Sequence, residues 1–135
     1  MKIPIDYIEK AATADEIAVK DIFEKCLEAV SNKNAYLLEL YCIPSAVFAI
    51  RKDSGEEEFM SLSDFIDRTS RARRNLQAIS CFDTVVRIKN DREAAVTTFC
   101  QARIFDNLWP IIVGRQTIFS KTNDKWLISK LIYIG

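Results

Sequence analysis

Apolar residues recur at helical spacing near the start of the chain and predict a first helix over residues 14 to 30. Thr13 followed by Glu16 forms a capping box, in which the two side chains satisfy free backbone N–H groups at the start of a helix. One face of this helix is therefore expected to pack against the core. Its apolar residues are Val19, Ile22, Phe23, Cys26, Leu27 and Val30.

Three further elements follow before residue 76. Asn34 can cap a short second helix through residues 36 to 41, and Pro44 sets its limit because proline disfavours helix in the residue before it. SAVFAIRK predicts a strand over residues 46 to 52, and DSGEEE is typical of a solvated turn. SLSDFIDRTSRARR has capping serines at its start and arginines at its end, which predicts a third helix over residues 62 to 74.

The pattern changes after Leu76 to long β-branched and aromatic runs. Polar turns interrupt these runs at residues 90 to 93, 106 to 110 and 122 to 124, which predicts four antiparallel strands in meander order. Three helices and one early strand, followed by a curved meander, are typical of an α+β protein with its helices on one face of the sheet. The length predicts a single domain over residues 1 to 135.

Side chains alternate between the two faces of a sheet, so each strand divides into an odd and an even set. If Phe105 pairs with Ile111, Gln101 lies opposite Arg115 and the odd-numbered residues of both strands share one face. The even set is small or aliphatic and is expected to face the helices. The odd set, which is then expected to face outward, is Thr97, Phe99, Gln101, Arg103, Phe105, Ile111, Val113, Arg115, Thr117 and Phe119.

The last strand, KWLISKLIYI, is apolar on both faces, so the sheet needs cover on both. Three helices cover one face only. Aromatic residues and arginines on the other face are typical of a protein contact, and a second copy of the chain is the simplest cover. A guanidinium buried there would need a carboxylate such as Asp83 or Asp106. The predicted face of this homodimer consists of Phe99, Gln101, Arg103, Arg115, Thr117 and Phe119.

The composition of the chain excludes several kinds of partner and site. The 19 basic and 19 acidic residues balance, so neither nucleic acid nor a membrane is an expected partner. The chain has no histidine and no C-x-x-C pair among its 4 cysteines, which predicts buried thiols, no metal and no cofactor. The start MKIPIDYIEK lacks the apolar core of a signal peptide, and no run reaches the roughly 20 apolar residues of a membrane span. We therefore expect a cytoplasmic protein.

The order of elements resembles the nuclear transport factor two-like superfamily, which includes ketosteroid isomerases and SnoaL-type polyketide cyclases. The resemblance rests on AVKDIFEKCLEAVSNKN, on AYLLELY leading into SAVFAI, and on the closing DKWLISKLIYI. It implies a cone-shaped α+β barrel, a curved antiparallel or mixed sheet with three helices packed on its concave face. The closing strands also resemble those of ring-hydroxylating dioxygenase small subunits, with Gly114 and Arg115 as the matching pair. That resemblance implies structural support of a larger catalytic subunit.

Isomerases of this superfamily need a tyrosine on the first helix, an aspartate after the second and an acid on the penultimate strand. The corresponding places fall near Cys26, Ala49 and Gln116, none of which carries the required group. The resemblance thus implies no recognisable catalytic set. It also puts an apolar ligand pocket inside the cone, either open or filled by side chains. The candidate pocket residues are Cys26, Tyr41, Phe48, Ile50, Thr98, Cys100, Gln116, Ser129 and Tyr133.

These patterns predict a SnoaL-like domain that binds a small apolar ligand or serves as a structural subunit. The alternative is a cofactor-free isomerase, dehydratase or cyclase acting on a small apolar molecule, with Tyr41, Tyr133 or Asp83 as acid or base. Asp83 and Arg87 form a carboxylate and arginine pair at same-face spacing on a central strand. A catalytic site predicts a tyrosine or carboxylate of shifted pKa inside the cavity. Residues 1 to 12 are a candidate lid or exchanged arm.

Overall fold

The structure is a computed structural model that describes residues 13–32, 34–51, 54–71, 77–103 and 111–134, and of residues 31, 77–80, 102, 103 and 111 the backbone alone. The predicted lid or arm at residues 1–12 and the predicted turn at residues 106–110 lie outside the described residues. The helices of the described part are α1 (Ala14–Ser31), α2 (Leu38–Tyr41), which continues a 3-10 turn over Ala35–Leu37, and α3 (Leu62–Arg71). Its strands are β1 (Cys42–Arg51), β2 (Glu57–Ser61), β3 (Gln77–Ile88), β4 (Glu93–Arg103), β5 (Ile111–Thr122) and β6 (Lys125–Ile134).

The strands form one mixed sheet in the order β2-β1-β6-β5-β4-β3. Every neighbouring pair is antiparallel except β1 and β6, which run parallel. The α+β class, with three helices on a mixed sheet, is confirmed. The sheet is open, with β2 and β3 at its two edges, so the expectation of a barrel is wrong.

α1 begins where the capping box predicts. The Thr13 hydroxyl oxygen accepts a hydrogen bond from the backbone N–H of Glu16 at 3.2 Å. In the same first turn, the Asp15 carboxylate accepts hydrogen bonds from the Trp126 indole N–H at 3.0 Å and from the Lys121 ammonium at 3.3 Å. These bonds fix the start of α1 against the β5–β6 hairpin. The side chains that α1 buries are Val19, Phe23, Cys26, Ala29 and Val30.

β1 and β2 differ from the sequence prediction. β1 begins at Cys42 rather than at residue 46, and Pro44 lies in a stretch between Cys42 and Val47 where pairing with β6 is interrupted. Proline has no N–H to donate, so an unpaired stretch accommodates it. β2 was not predicted, and its first two residues belong to the segment interpreted as a turn. It pairs with β1 from Val47 opposite Ser61.

α3 packs on β1 through two stacked aromatic rings. The ring centroids of Phe48 and Phe65 are 4.1 Å apart and their planes differ by 8°. Both side chains are buried, so they anchor α3 over the inner face of the sheet. The predicted third helix is confirmed as far as Arg71, and residues 72–74 lie outside the described residues.

The register between β4 and β5 differs from the one assumed from the sequence. Thr98 rather than Gln101 lies opposite Arg115, a shift of three residues. Because side chains alternate with a period of two, an odd shift moves the whole set of one strand to the other face. The inner face therefore combines even-numbered residues of β4 with odd-numbered residues of β5. They are Ala94, Val96, Thr98 and Cys100 with Val113, Arg115, Thr117 and Phe119.

β6 changes its alternation at a bulge. Phe119 pairs with Ile128 while Ile118 pairs with Lys130, so Ser129 is an extra residue without an opposite residue in β5. The Ser129 hydroxyl donates a hydrogen bond to the Ile118 carbonyl at 3.2 Å, which satisfies it locally. The core residues of β6 are Trp126, Ile128, Leu131 and Tyr133, whereas Ser129, which was expected inside, is half-buried.

Candidate functional site

Arg115 lies in the interior, on the helix face of the sheet, with 2% of its surface exposed. The register assumed from the sequence predicts that it lies on the outer face, and the observed register of β4 and β5 shows that this prediction is wrong. Val113 and Thr117 are buried with it, as the alternation of β5 requires. β5 therefore places a permanent positive charge in the core.

Two aromatic rings and a thiol surround the guanidinium of Arg115. Its Cζ lies 5.3 Å from the ring centroid of Phe23 on α1 and 5.6 Å from that of Tyr133 on β6, within the range of cation–π attraction. Its Nη2 donates to the Sγ of Cys26 at 3.7 Å, and sulfur is a weak acceptor. These contacts orient the side chain without neutralising its charge.

No buried carboxylate faces this charge among the described residues. The Nε of Arg115 and the hydroxyl of Thr117 are buried and have no hydrogen-bond partner there. Asp83, one of the two expected partners, is exposed on β3. Asp106, the other, lies outside the described residues. The remaining buried polar side chains in the described part of the chain are Thr69, Thr98 and Thr117.

The groups around Arg115 are neutral near pH 7. Burial raises the pKa of Tyr133 to about 12 and also raises the pKa of Cys26. Burial, together with the hydrogen bond with Cys81, raises the pKa of Cys100 to about 12. Burial acts to lower the pKa of Arg115, but Tyr133, Cys26 and Cys100 raise it overall. They do so only when ionised, well above pH 7, so the guanidinium charge has no compensating anion among the described residues at neutral pH.

The predicted pocket residues are divided between the core and more exposed positions. Gln116 follows Arg115 in β5 and therefore points to the opposite face, so the prediction that it faces the interior is wrong. That the others line a ligand pocket stays a prediction. The buried ones are Cys26, Phe48, Thr98, Cys100 and Tyr133. The half-buried ones are Tyr41, Ile50, Gln116 and Ser129.

The predicted dimer face is divided in the same way. Phe99 and Gln101 are exposed on the outer face, away from the helices. Arg115, Thr117 and Phe119 are buried on the inner face, so their assignment to the outer face is wrong. The side chain of Arg103 lies outside the described part of the chain.

The outer face carries an apolar patch, of which only Phe99 belongs to the predicted dimer face. The rings of Phe82 and Phe99 stack across β3 and β4 with their centroids 5.9 Å apart. Val85 pairs with Thr97 on the same face, and Ile112 on β5 is 67% exposed. We refer to Phe82, Val85, Phe99 and Ile112 as the outer patch.

Asp83 and Arg87 do not form the predicted pair. Asp83 has a φ of 53° and lies in an irregular stretch of β3 between Phe82 and Val85. The two-residue alternation therefore does not extend from Asp83 to Arg87, and both side chains are exposed. This removes the one carboxylate and arginine pair that the sequence offered for catalysis.

The described residues contain no group of three or more cysteine, aspartate or glutamate side chains arranged to hold a metal ion. No helix within the described ranges combines the length and the hydropathy that crossing a membrane requires.

Comparison with known proteins identifies the fold. No family model and no curated protein matches the chain. The crystal structure of an NTF2-like protein from Cytophaga hutchinsonii superposes with a TM-score of 0.75 at 17% identity, covering 92% of this chain and 99% of that one. The association domain of C. elegans CaMKII gives a TM-score of 0.64 at 12% identity, covering 89% and 95%. A hexachlorocyclohexane dehydrochlorinase from Novosphingobium barchaimii gives 0.65 at 12% identity, covering 89% and 85%.

At these identities the likeness concerns the fold alone. The chain has the nuclear transport factor two-like fold that its sequence resemblance implied. Several structures with this fold are NTF2-like proteins of unknown function. The resemblance of the closing strands to dioxygenase small subunits finds no support in these structures and stays a prediction.

Proposed function

We propose that this domain binds a small molecule with one carboxylate on an otherwise apolar body, and that Arg115 is the counter-ion of that carboxylate. One observation carries the proposal: the guanidinium is buried and has no acidic partner among the described residues. An unpaired charge in a protein interior costs several kcal/mol. A bound anion would supply the pairing that the described residues do not.

The surroundings favour a monoanion such as a carboxylate. A guanidinium presents a planar fork of N–H donors that matches the two oxygens of a carboxylate. Arg115 is the one buried cation among the described residues, so a single negative charge balances it. Phe23, Tyr133 and the buried cysteines around it are apolar or weakly polar, which suits an apolar ligand body.

Isothermal titration calorimetry with simple probes tests this proposal. We expect benzoate or hexanoate to bind the full chain, and the matched neutral amides, benzamide and hexanamide, not to bind. Arg115→Met should weaken carboxylate binding by at least about tenfold because it removes the charge-assisted hydrogen bonds. Arg51→Met is the matched control, because Arg51 is a partly exposed arginine already paired with Glu57.

Unfolding measurements on the same variants separate a binding role from a structural one. Because Arg115→Met replaces a buried charge that has no acidic partner among the described residues with an apolar side chain of similar length, we expect a free energy of unfolding equal to or up to about 2 kcal/mol above that of the wild type. A loss of more than about 2 kcal/mol, together with unchanged carboxylate binding, would contradict the proposal.

The enzyme alternative is less well supported. Tyr133 is a buried tyrosine with a raised pKa, and a dehydrochlorinase is among the proteins of this fold. A pKa of about 12 makes Tyr133 a poor base at neutral pH, although its neutral hydroxyl could still donate a hydrogen bond. No carboxylate is buried among the described residues to act as the base. Binding without turnover is therefore the function that we favour.

We further propose that the domain forms a homodimer through the outer patch. Its four apolar side chains lie together on three adjacent strands, and the α helices cover the other face. A protein named as an association domain shares the fold. A larger catalytic subunit is the alternative occupant of this face. The 4 cysteines are free thiols, which fits the reducing cytoplasm that we propose as its location.

A further inference from the structure

Two thiols lie against each other across β3 and β4. Cys81 is directly opposite Cys100 in the antiparallel ladder, and the two Sγ atoms are 3.0 Å apart. Directly opposed residues in such a ladder have Cα atoms about 4.5 to 5.5 Å apart. This range falls within the roughly 4.4 to 6.8 Å that a disulfide spans, so a bond between them needs little movement of the backbone.

The two thiols differ in their access to solvent. Cys81 is half-buried, whereas Cys26, Cys42 and Cys100 are buried. A soluble oxidant therefore reaches Cys81 before any of the other three. Cys100 lies behind it on the inner face, where burial and the bond with Cys81 raise its pKa to about 12. This asymmetry makes Cys81 the entry thiol and Cys100 the resolving thiol.

We propose that Cys81 and Cys100 form a reversible disulfide by exchange with a small-molecule disulfide such as oxidised glutathione. The Cys81 thiolate attacks one sulfur of the oxidant, forms a mixed disulfide and expels one thiolate. The Cys81 proton passes to solvent in forming the attacking thiolate, and the expelled thiolate takes the proton of Cys100. The Cys100 thiolate then attacks the Cys81 sulfur and expels the second small thiolate, which takes up the proton from solvent. Two protein thiols are thereby oxidised to one disulfide, and one small disulfide is reduced to two thiols.

The bond would join the edge strand to its neighbour at a place where β3 is irregular. The ladder is disturbed on both sides of Cys81, between Ala78 and Ser80 and between Phe82 and Val85. A crosslink between Cys81 and Cys100, which are 19 residues apart, constrains the unfolded chain and holds this weak part of the ladder in register. Oxidation is therefore expected to raise the Tm.

Equilibration of the full wild-type chain in glutathione buffers of graded ratio tests the inference. Intact mass is expected to fall by two hydrogens without a retained adduct, alkylation is expected to label two thiols instead of four, and peptide mapping is expected to link Cys81 with Cys100. Dithiothreitol should restore the starting mass. Cys81→Ser should slow oxidation of Cys100 by at least about tenfold, because the entry thiol is gone. Cys42→Ala is the control and should oxidise like the wild type.

Three outcomes would overturn the inference. One is a wild-type chain that keeps four alkylatable thiols in the most oxidising buffer. Another is a stable glutathione adduct on Cys81 that is never resolved. The third is a disulfide that joins Cys26 with Cys42 instead. Because each outcome is read on the wild type, none depends on the folding of a variant.

Discussion

At the scale of single residues, the buried ionisable side chains of the described residues are neutral at pH 7 except that of Arg115. Burial raises the pKa of Tyr133 and Cys100 to about 12, so both side chains hold their protons through the neutral range. The guanidinium cannot respond in this way because arginine does not deprotonate in proteins. The cation–π contacts with Phe23 and Tyr133 offset part of the cost of its burial.

A first prediction concerns alkaline stability. The pKa of Tyr133 rises from 10.0 to about 12 on folding, so between these values the unfolded chain gives up a proton that the folded chain keeps. The free energy of unfolding therefore falls as pH rises from 10 to 12, by up to about 1.4 kcal/mol per pH unit from this group. Urea unfolding at graded pH should show a shallower decline for Tyr133→Phe. Tyr36→Phe, at a side chain that is 61% exposed, should follow the wild type.

Asp15 shows the opposite dependence on pH. Its hydrogen bonds with Trp126 and then Lys121 lower its pKa below the ordinary 3.8. The stability that it contributes is therefore present above pH 3.8 and is lost as pH falls through the lowered value. Asp15→Ala should lower the Tm at pH 7, and the difference from the wild type should shrink at pH 3. Asp21→Ala removes an exposed pair with Lys25 on the same helix and should leave the Tm nearly unchanged. A constant difference for Asp15→Ala at both pH values would argue against this linkage.

At the scale of elements, helix patterns were more predictable than strand registers. The cap at Thr13 and the apolar face after it fix α1 locally, and so they could be recognised in the sequence. The register of β4 and β5 depends on the loop between them, and a shift of three residues moved Arg115 from the outer face to the core. The sequence of β5 by itself indicates the face of Arg115 better than the assumed register does. Val113 and Phe119 are apolar and, like Arg115, odd-numbered, so all three lie on the same face. β2 was missed because its glutamates resemble a solvated turn.

Irregular residues explain the other errors at this scale. The bulge at Ser129 shifts the alternation of β6. Assigning all odd-numbered residues of this strand to one face therefore puts the residues on one side of the bulge on the wrong face. The irregular stretch at Asp83 does the same in β3. Both depend on pairing with a distant strand. The candidate site could therefore be predicted for Cys26 and Tyr133, whose faces were assigned correctly, but not for Arg115.

At the scale of the whole molecule, the fold was predictable because it follows from the order of elements and not from any single register. The helices bury one face of the sheet, and the other carries the outer patch. Gly114 lies beneath Phe99, and a Cβ there would meet that ring at 3.9 Å and Ile134 at 3.6 Å, which are ordinary contacts. The outer face therefore has room for a small side chain at this position.

Charge placed in the outer patch tests the proposed dimer. Phe99→Glu should raise the dissociation constant of the dimer by at least about tenfold, because it sets a carboxylate among desolvated apolar side chains. Sedimentation velocity at several concentrations measures this change. Ile17→Glu, at a side chain on α1 that is 60% exposed, is the control and should leave association unchanged. A wild-type chain that sediments as a monomer at all concentrations would count against the dimer.

The strand order has a consequence for synthesis. β6 follows every other strand of the described chain, yet it lies between β1 and β5 in the sheet. Until β6 leaves the ribosome, no strand joins the pair β1–β2 to the trio β3–β5, and the apolar side chains that pack against β6 lack this partner. Completion of the sheet is thus a late event in synthesis. A nascent chain stalled before Lys125 is expected to remain sensitive to protease.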